Sequence, residues 1–183
     1  MTIFVRVDQA EQRICAYANS ACRRRTVRSV FRGVSRLGDG VFWYVLMASM
    51  PLFLGLDRLE HGLWVSAQML AAGAFGLALY KVLKKKLVRE RPFIGLIGIE
   101  CAMPPLDRYS FPSGHTLHAV LFTAIAIHHV PALAIILVPF ALLVAASRVV
   151  LGLHYPTDVL AGAALGALVA AASQALFWSA PLG

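Results

Sequence analysis

The twenty residues 159–178, VLAGAALGALVAAASQALFW, contain no charged side chain. An α-helix of that length is about 30 Å long, which matches the hydrocarbon thickness of a bilayer. Within it, Gly162 and Gly166 form a GxxxG pair on an alanine-rich background, a spacing that lets two helix backbones approach closely. Four further apolar stretches lie upstream, at about Val41–Leu56, Leu63–Tyr80, Gly114–Ile127 and Ala132–Ala146. The chain of 183 residues is 59% hydrophobic and 14% charged, with mean hydropathy +0.72, whereas soluble domains are about 25% charged. A soluble bundle with apolar buried helices is the competing reading, but core helices of this length rarely lack charge. The expectation is therefore an all-α, polytopic membrane bundle of five spans, the shorter ones needing flanking residues or locally thin bilayer.

Outward from the spans, the organisation is in two parts: residues 1–38 as an amphipathic interfacial helical segment, and 39–183 as the membrane domain. Eight arginines from Arg6 to Arg36 prevent the first part from crossing a bilayer, and its first 37 residues contain no apolar run of signal-peptide type. Its apolar residues still recur with helical spacing, at Val7, Ala10, Ile14, Tyr17 and Ala21 and then at Val27, Val30, Phe31 and Val34, with Arg24, Arg28 and Arg32 on the opposite face. Two placements fit that pattern: in the membrane interface with arginines toward lipid phosphates, or packed on the protein's own core. The net charge of +8 flanks apolar blocks and is not interleaved with aromatics, so the expected partner is anionic lipid and not nucleic acid. Cys15, Cys22 and Cys101 have no metal-ligand spacing and read as free thiols. Trp64, Phe177 and Trp178 are expected near one membrane interface and Phe42, Trp43 and Tyr44 near the other.

Five crossings put the long 81–112 connection, the 147–158 connection and the N-terminal segment on one face. Of 17 Lys and Arg, only Arg58 falls on the other. The excess of positive charge places the first face in the cytoplasm.

Three clusters of functional groups lie on that face. Lys84 is followed after six residues by Arg91-Pro92; Pro112-Ser113-Gly114-His115 opens the third span; Ser147-Arg148, five residues, His154, three residues and Asp158 join the last two. Each has an ordinary explanation. Ser113 is a good helix N-cap, Arg148 a snorkelling arginine, and the basic run around Lys84 a topology signal. Read chemically, the Ser113-Gly114 helix start favours an anion. Lys84 and Arg91, about two helical turns apart, can share a face. His154 and Asp158, four apart, can also share one, where the carboxylate would fix the imidazole tautomer. Together the clusters supply a nucleophile, an acid, a carboxylate and three cations, the set an in-line phosphoryl transfer needs.

In these three clusters the chain resembles the type 2 phosphatidic acid phosphatase superfamily, whose signature K-x6-R-P, P-S-G-H, S-R-x5-H-x3-D it matches over about residues 39–178. The resemblance implies that His154 attacks phosphorus to form a phosphohistidine and that Asp158 orients it. It implies His115 as proton donor to the leaving oxygen and later as activator of water. Lys84, Arg91 and Arg148 would hold the phosphoryl oxygens, with Ser113 and the Gly114 N–H assisting. It implies no cofactor and no metal; Asp107 and Glu100 read as isolated carboxylates, with no acidic cluster to hold Mg²⁺. The expected partners are a lipid-phosphate substrate and a bilayer containing anionic lipids, in a bacterial inner membrane. Undecaprenyl diphosphate is the favoured substrate, with phosphatidylglycerophosphate, phosphatidic acid and lipid A phosphates as alternatives. Bacterial members of the superfamily more often place the site on the outer face, opposite to the charge bias. Three other classes use related features: a vanadate haloperoxidase, which is soluble; a channel or transporter, whose ionisable groups would cross the bilayer; and a lipid phosphotransferase with an alcohol acceptor in place of water.

Overall fold

The computed structural model describes the backbone of residues 3–177 and the side-chain surroundings of residues 9–177. Among the described residues there are eight α-helices and no strand: α1 (Ile3–Ser20), α2 (Arg25–Leu37), α3 (Val41–Leu54), α4 (Leu59–Lys86), α5 (Pro92–Gly95), α6 (Gly114–His129), α7 (Ala134–Val150) and α8 (Pro156–Phe177). Local chemistry explains where they begin and end. Gly40 and Gly55 lie at φ +138° and +98°, where a side chain would be strained, so α2, α3 and α4 are separate helices. Ser113 caps α6 by accepting from the Thr116 amide. Pro156 opens α8, and Asp158 Oδ2 accepts from the Tyr155 amide at 2.8 Å, as an acid at the third helical position does. Lys84, Lys85 and Lys86 occupy the last turn of α4, where cations suit the negative end of the helix dipole.

The central helix is α6, which packs on α8, α7 and α4, while α3 lies along α4. A Cβ on Gly162 would lie 2.4 Å from the Ser113 carbonyl oxygen, and one on Gly166 would lie 2.4 Å from that of Leu117. The GxxxG pair therefore does what its spacing suggests: it brings the α8 backbone against α6. That contact also fixes where α6 begins, since the Ser113 amide donates to the Asp158 carbonyl at 3.0 Å.

Three helical stretches are long and apolar enough to cross a membrane: Leu56–Lys86, Pro131–Val150 and Pro156–Phe177. The pair α2 and α3, bent by 50°, makes a fourth if it counts as one span. At 14 and 16 residues, α3 and α6 are shorter than the roughly 20 residues a spanning helix needs. Outward-facing positions on the long helices are apolar, among them Leu70, Phe75, Ile135, Leu142, Leu160 and Leu168, an arrangement water would penalise and lipid would not.

Several expectations change in detail. The second apolar helix runs from Leu59 to Lys86, well beyond Leu63–Tyr80, because its basic end remains helical. Trp43 does not belong to an interfacial belt: it is 1% exposed, and its indole N–H donates to the Gly38 carbonyl. Trp64 packs against Phe177 with tilted rings, centroids 5.2 Å apart; Trp178 lies outside the described residues, as do the side chains of Arg6 and Val7. Of the two placements for the N-terminal segment, the contacts are those of packing on the protein itself. Cys15 and Cys22 are buried. Arg28 pairs with Glu100, and Arg32 donates to the Ala102 carbonyl. Two of the three arginines expected to face lipid phosphates are thus engaged by the 99–102 loop.

Candidate active site

A cavity of about 350 Å³ opens where the α4 C-terminus, the α6 N-terminus and the α7–α8 connection meet. Lys84, Arg91, Gly114, His115, Arg148 and His154 all line it, so residues spread over 71 positions of sequence converge on one space. The cavity then continues between α3 and α4 along Tyr44, Met47, Leu70, Ala74 and Leu77. One end is cationic and the other apolar.

At the cationic end, His154 sits in the connection before α8, 2% exposed. Arg91 Nη1 lies 3.3 Å from its Nε2 and donates to the Leu153 carbonyl at 2.7 Å. Arginine has no acceptor, so this contact requires an unprotonated Nε2, which leaves Nδ1 carrying hydrogen toward Asp158. Asp158 Oδ2 is 3.7 Å from Nδ1. That is too long for a hydrogen bond, and Nδ1 has no partner. The shared-face expectation needs this correction: His154 precedes the helix that contains Asp158, so the two meet across a turn and not along one helical face. Burial, followed by the nearby charges of Arg148, Arg91 and Lys84, holds the His154 imidazole well below its ordinary pKa. That favours the neutral imidazole, whose Nε2 lone pair is directed at the Arg91 guanidinium in the cavity wall.

Lys84 and Arg91 meet in a way the spacing did not foresee. The helix stops at Lys86, and Arg91 has extended backbone, so they share no helical face. Asp107 joins them instead: its Oδ1 takes Lys84 Nζ at 2.6 Å and Arg91 Nη2 at 2.6 Å. Asp107 is therefore not isolated. Burial alone would raise its carboxyl, but the Lys84 and Arg91 contacts outweigh that and hold it below the usual carboxylate range. Arg148 is 3% exposed and donates to Ser35 of α2. His115 Nε2 stands 3.4 Å from Asp39 Oδ1 without hydrogen-bond geometry. Four buried side-chain polar atoms lack a partner among the described residues, and three of them are His115 Nε2, Arg148 Nε and His154 Nδ1. Buried polar groups are nearly always satisfied; His154 Nδ1 is turned to Asp158, but His115 Nε2 and Arg148 Nε belong to residues lining the cavity, where a polar ligand would satisfy them.

Two expected residues stand behind the wall. Ser113 and Asp158 are fully buried and do not line the cavity: the Ser113 hydroxyl is used as the α6 cap, and Asp158 faces the back of His154. Gly114 does line it, and its missing Cβ leaves room for the Tyr80 ring, whose atoms would otherwise be 3.2–3.3 Å away. The sequence reading missed the parts played by Asp39, Asp107 and Ser35. Charge balance was the available signal, since three cations drawn into one buried place require nearby carboxylates. Among the described residues no group of three or more His, Cys, Asp or Glu is arranged to hold a metal ion.

This combination of a helical membrane bundle and a cationic, histidine-bearing cavity defines a class. The PAP2 superfamily pattern matches residues 63–181, and the chain belongs to that superfamily. It is 38% identical over 145 residues to the decaprenylphosphoryl-5-phosphoribose phosphatase of Mycobacterium tuberculosis H37Rv, covering 76% of this chain and 75% of that protein. Phosphatidylglycerophosphatase B of Bacillus subtilis 168 is 32% identical over 158 residues, covering 80% and 73%. The crystal structure of the transmembrane PAP2 type phosphatidylglycerolphosphate phosphatase from Bacillus subtilis superposes with a TM-score of 0.75 at 28% identity, covering 96% of this chain and 88% of that one. With this membrane-embedded neighbour and its own long apolar helices, the chain is an integral membrane protein.

Proposed function

We propose that the chain is a membrane-embedded phosphatase that hydrolyses a lipid-linked phosphate through a phosphohistidine at His154. The observation that carries this reading is the two-ended cavity: three cations and His115, His118 and His154 line its polar part, and an apolar channel runs between α3 and α4. An anionic headgroup and its hydrocarbon tail fit that division.

In this reading Lys84, Arg91 and Arg148 hold the phosphoryl oxygens, with the Gly114 amide at the positive end of α6 adding a donor. Ser113 assists as the cap that orients this helix start. Asp107 gives up part of its hold on Lys84 and Arg91 when phosphate arrives. An oxygen bound to Arg91 brings phosphorus toward His154 Nε2, 3.3 Å from that guanidinium. Nε2 attacks, the bond from phosphorus to the lipid oxygen breaks, and His115 gives its proton to the departing oxygen. Asp158 stabilises the charge that develops on the imidazole. His115 then takes a proton from water, the water oxygen attacks phosphorus, and inorganic phosphate leaves His154.

The reading places α3, α4, α6, α7 and α8 as five crossings, with the membrane thinned around short α3 and α6. Residues 1–38 form a separate segment on the active face, and 39–183 the membrane domain. The charge bias puts that face in the cytoplasm of a bacterial inner membrane, among anionic lipids. For substrate we propose a polyprenyl-linked phosphate. The relatives at 38% identity are named for decaprenylphosphoryl-5-phosphoribose, and undecaprenyl diphosphate belongs to the same chemical class.

The test is phosphate release by purified protein, in EDTA, from a panel containing both polyprenyl phosphates, phosphatidylglycerophosphate, phosphatidic acid and a lipid A phosphate. Fastest release from a polyprenyl substrate supports the assignment, and release only from the glycerolipids contradicts the substrate class. Phosphate that passes to added diacylglycerol in preference to water makes the protein a phosphotransferase. Loss of all release in EDTA removes the mechanism.

A further inference from the structure

The N-terminal helix lies outside the superfamily match of 63–181, yet it reaches the back of the site. Asp158 is a fully buried carboxylate, costly unless paired. Its Oδ1 accepts from Arg89 Nη1 at 2.6 Å, and its Oδ2 faces His154. The Arg89 fork is itself held on several sides. Nη1 also donates to Thr157 Oγ1 at 2.8 Å, Nη2 donates to Glu11 Oε2 at 2.8 Å, and the guanidinium lies 4.0 Å over the Tyr155 ring. Glu11 belongs to α1 and is 5% exposed. Its second oxygen, Oε1, accepts from the Thr157 amide at 2.8 Å in the first turn of α8. A turn further along α1, Cys15 Sγ approaches the His154 carbonyl at 3.9 Å. Then Asn19 clasps both the Val150 and Glu100 carbonyls at 3.0 Å. The helix runs beside the whole connection that carries His154, contacting it at three successive turns.

We propose that α1 is a positioning element of the active site: Glu11 fixes Arg89, Arg89 fixes Asp158, and Asp158 sets the imidazole of His154. Among the described residues, the ionisable groups facing Asp158 belong to this arrangement: Arg89 from the 87–113 connection, His154 and Tyr155 from the connection before α8, and Glu11 and Cys15 from α1. Glu11 has a second effect beyond geometry. One guanidinium charge shared between two carboxylates neutralises each less completely, so Asp158 keeps more charge for the imidazolium that develops during phosphoryl transfer. A segment outside the matched region thus tunes the reaction without touching substrate.

This inference rests on the phosphohistidine reading, and its test separates the two. In wild type, E11Q, R89M, the double variant and the control Y17A, whose side chain is exposed on the same helix, kcat and KM are measured on a lipid phosphate. Backbone hydrogen exchange is followed in the peptide spanning residues 153–158. E11Q is expected to lower kcat about tenfold and R89M about a hundredfold, with KM within about twofold, as misorientation of a reacting group does. Adding E11Q to R89M costs nothing more, because Glu11 acts through Arg89. The 153–158 peptide exchanges faster in E11Q, and Y17A matches wild type in every measurement. Should R89M fold poorly, R89K keeps the charge without the fork and serves in its place. Wild-type kcat in E11Q, additive losses in the double variant, or unchanged exchange in the peptide overturns the inference. If wild type hydrolyses no lipid phosphate, the functional reading fails, and hydrogen exchange still decides whether α1 holds the connection.

Discussion

Asp107 is the residue through which the charge balance of the cavity bears on folding stability. It neutralises Lys84 and Arg91, and Lys84 is itself buried. Removing its charge leaves two cations facing each other, so D107N is expected to lose about 1–3 kcal/mol. That is less than the roughly 3–5 kcal/mol typical of a broken fully buried pair, because the Asp107 side chain is 36% exposed. The pH dependence has a definite sign. A carboxyl held below its ordinary value stabilises the fold above the unfolded pKa of about 4, and that stability disappears as pH falls through the folded value. Thermal unfolding of wild type should therefore show a loss below about pH 4 that is smaller in D107N; equal curves for the two proteins would show that the pair contributes nothing. Asp107 also marks the limit of reading residues singly. Lys84, Arg91, His115, Arg148 and His154 were legible as candidates from the residue types in three clusters, whereas the way Lys84 and Arg91 meet was not. Asp107 and Asp39 lie in turns where no periodicity operates, and only their charge connects them to the cations.

Helices were read from apolar runs, and their ends were misplaced wherever chemistry continued the helix past the run. The end of α4 is the plainest example. Lys84, Lys85 and Lys86 look like the edge of a span, yet they complete its last turn and so aim Lys84 into the cavity. Connections such as 87–113 were not legible, because their path is set by contacts with distant elements; the Ala102 amide, for example, donates to the Leu151 carbonyl at 3.2 Å. The α6–α8 contact was legible, because small residues four apart have one common use in membrane helices. It also carries a prediction. A methyl group on Gly162 meets the Ser113 carbonyl at 2.4 Å, and neither backbone can yield without shifting the start of α6. G162A should cost roughly 1–3 kcal/mol, as overpacking does, and should reduce turnover because His115 moves with that helix start. Gly33, which has nothing within 4 Å and lies inside α2, is the control: G33A should leave turnover in place and keep or raise the unfolding temperature, since alanine is the better helix former. If G162A also matches wild type in both, the close approach has no functional weight.

At the scale of the whole molecule, positive charge is concentrated at the end of the bundle that holds the cavity, while Asp57, Arg58, Glu60, His61, His128 and His129 lie at the α3–α4 and α6–α7 turns. Among the 17 Lys and Arg, Arg58 alone lies at the α3–α4 turn, on the opposite face. The five-crossing arrangement with a cytoplasmic active face predicts that R58C is modified by an impermeant thiol reagent in intact cells and that K85C is protected. Both belong in a C101S background, since Cys101 is exposed while Cys15 and Cys22 are buried; modification of K85C from outside would reverse the assigned orientation. The central claim, hydrolysis through His154, is tested most directly by rapid quenching with a lipid substrate labelled in its phosphoryl group. The account predicts label on the peptide containing His154 during turnover, no label in H154A, and a fall in turnover of at least about 10³-fold in that variant with lipid binding retained. Label on another residue, or near-normal phosphate release by H154A, would contradict it.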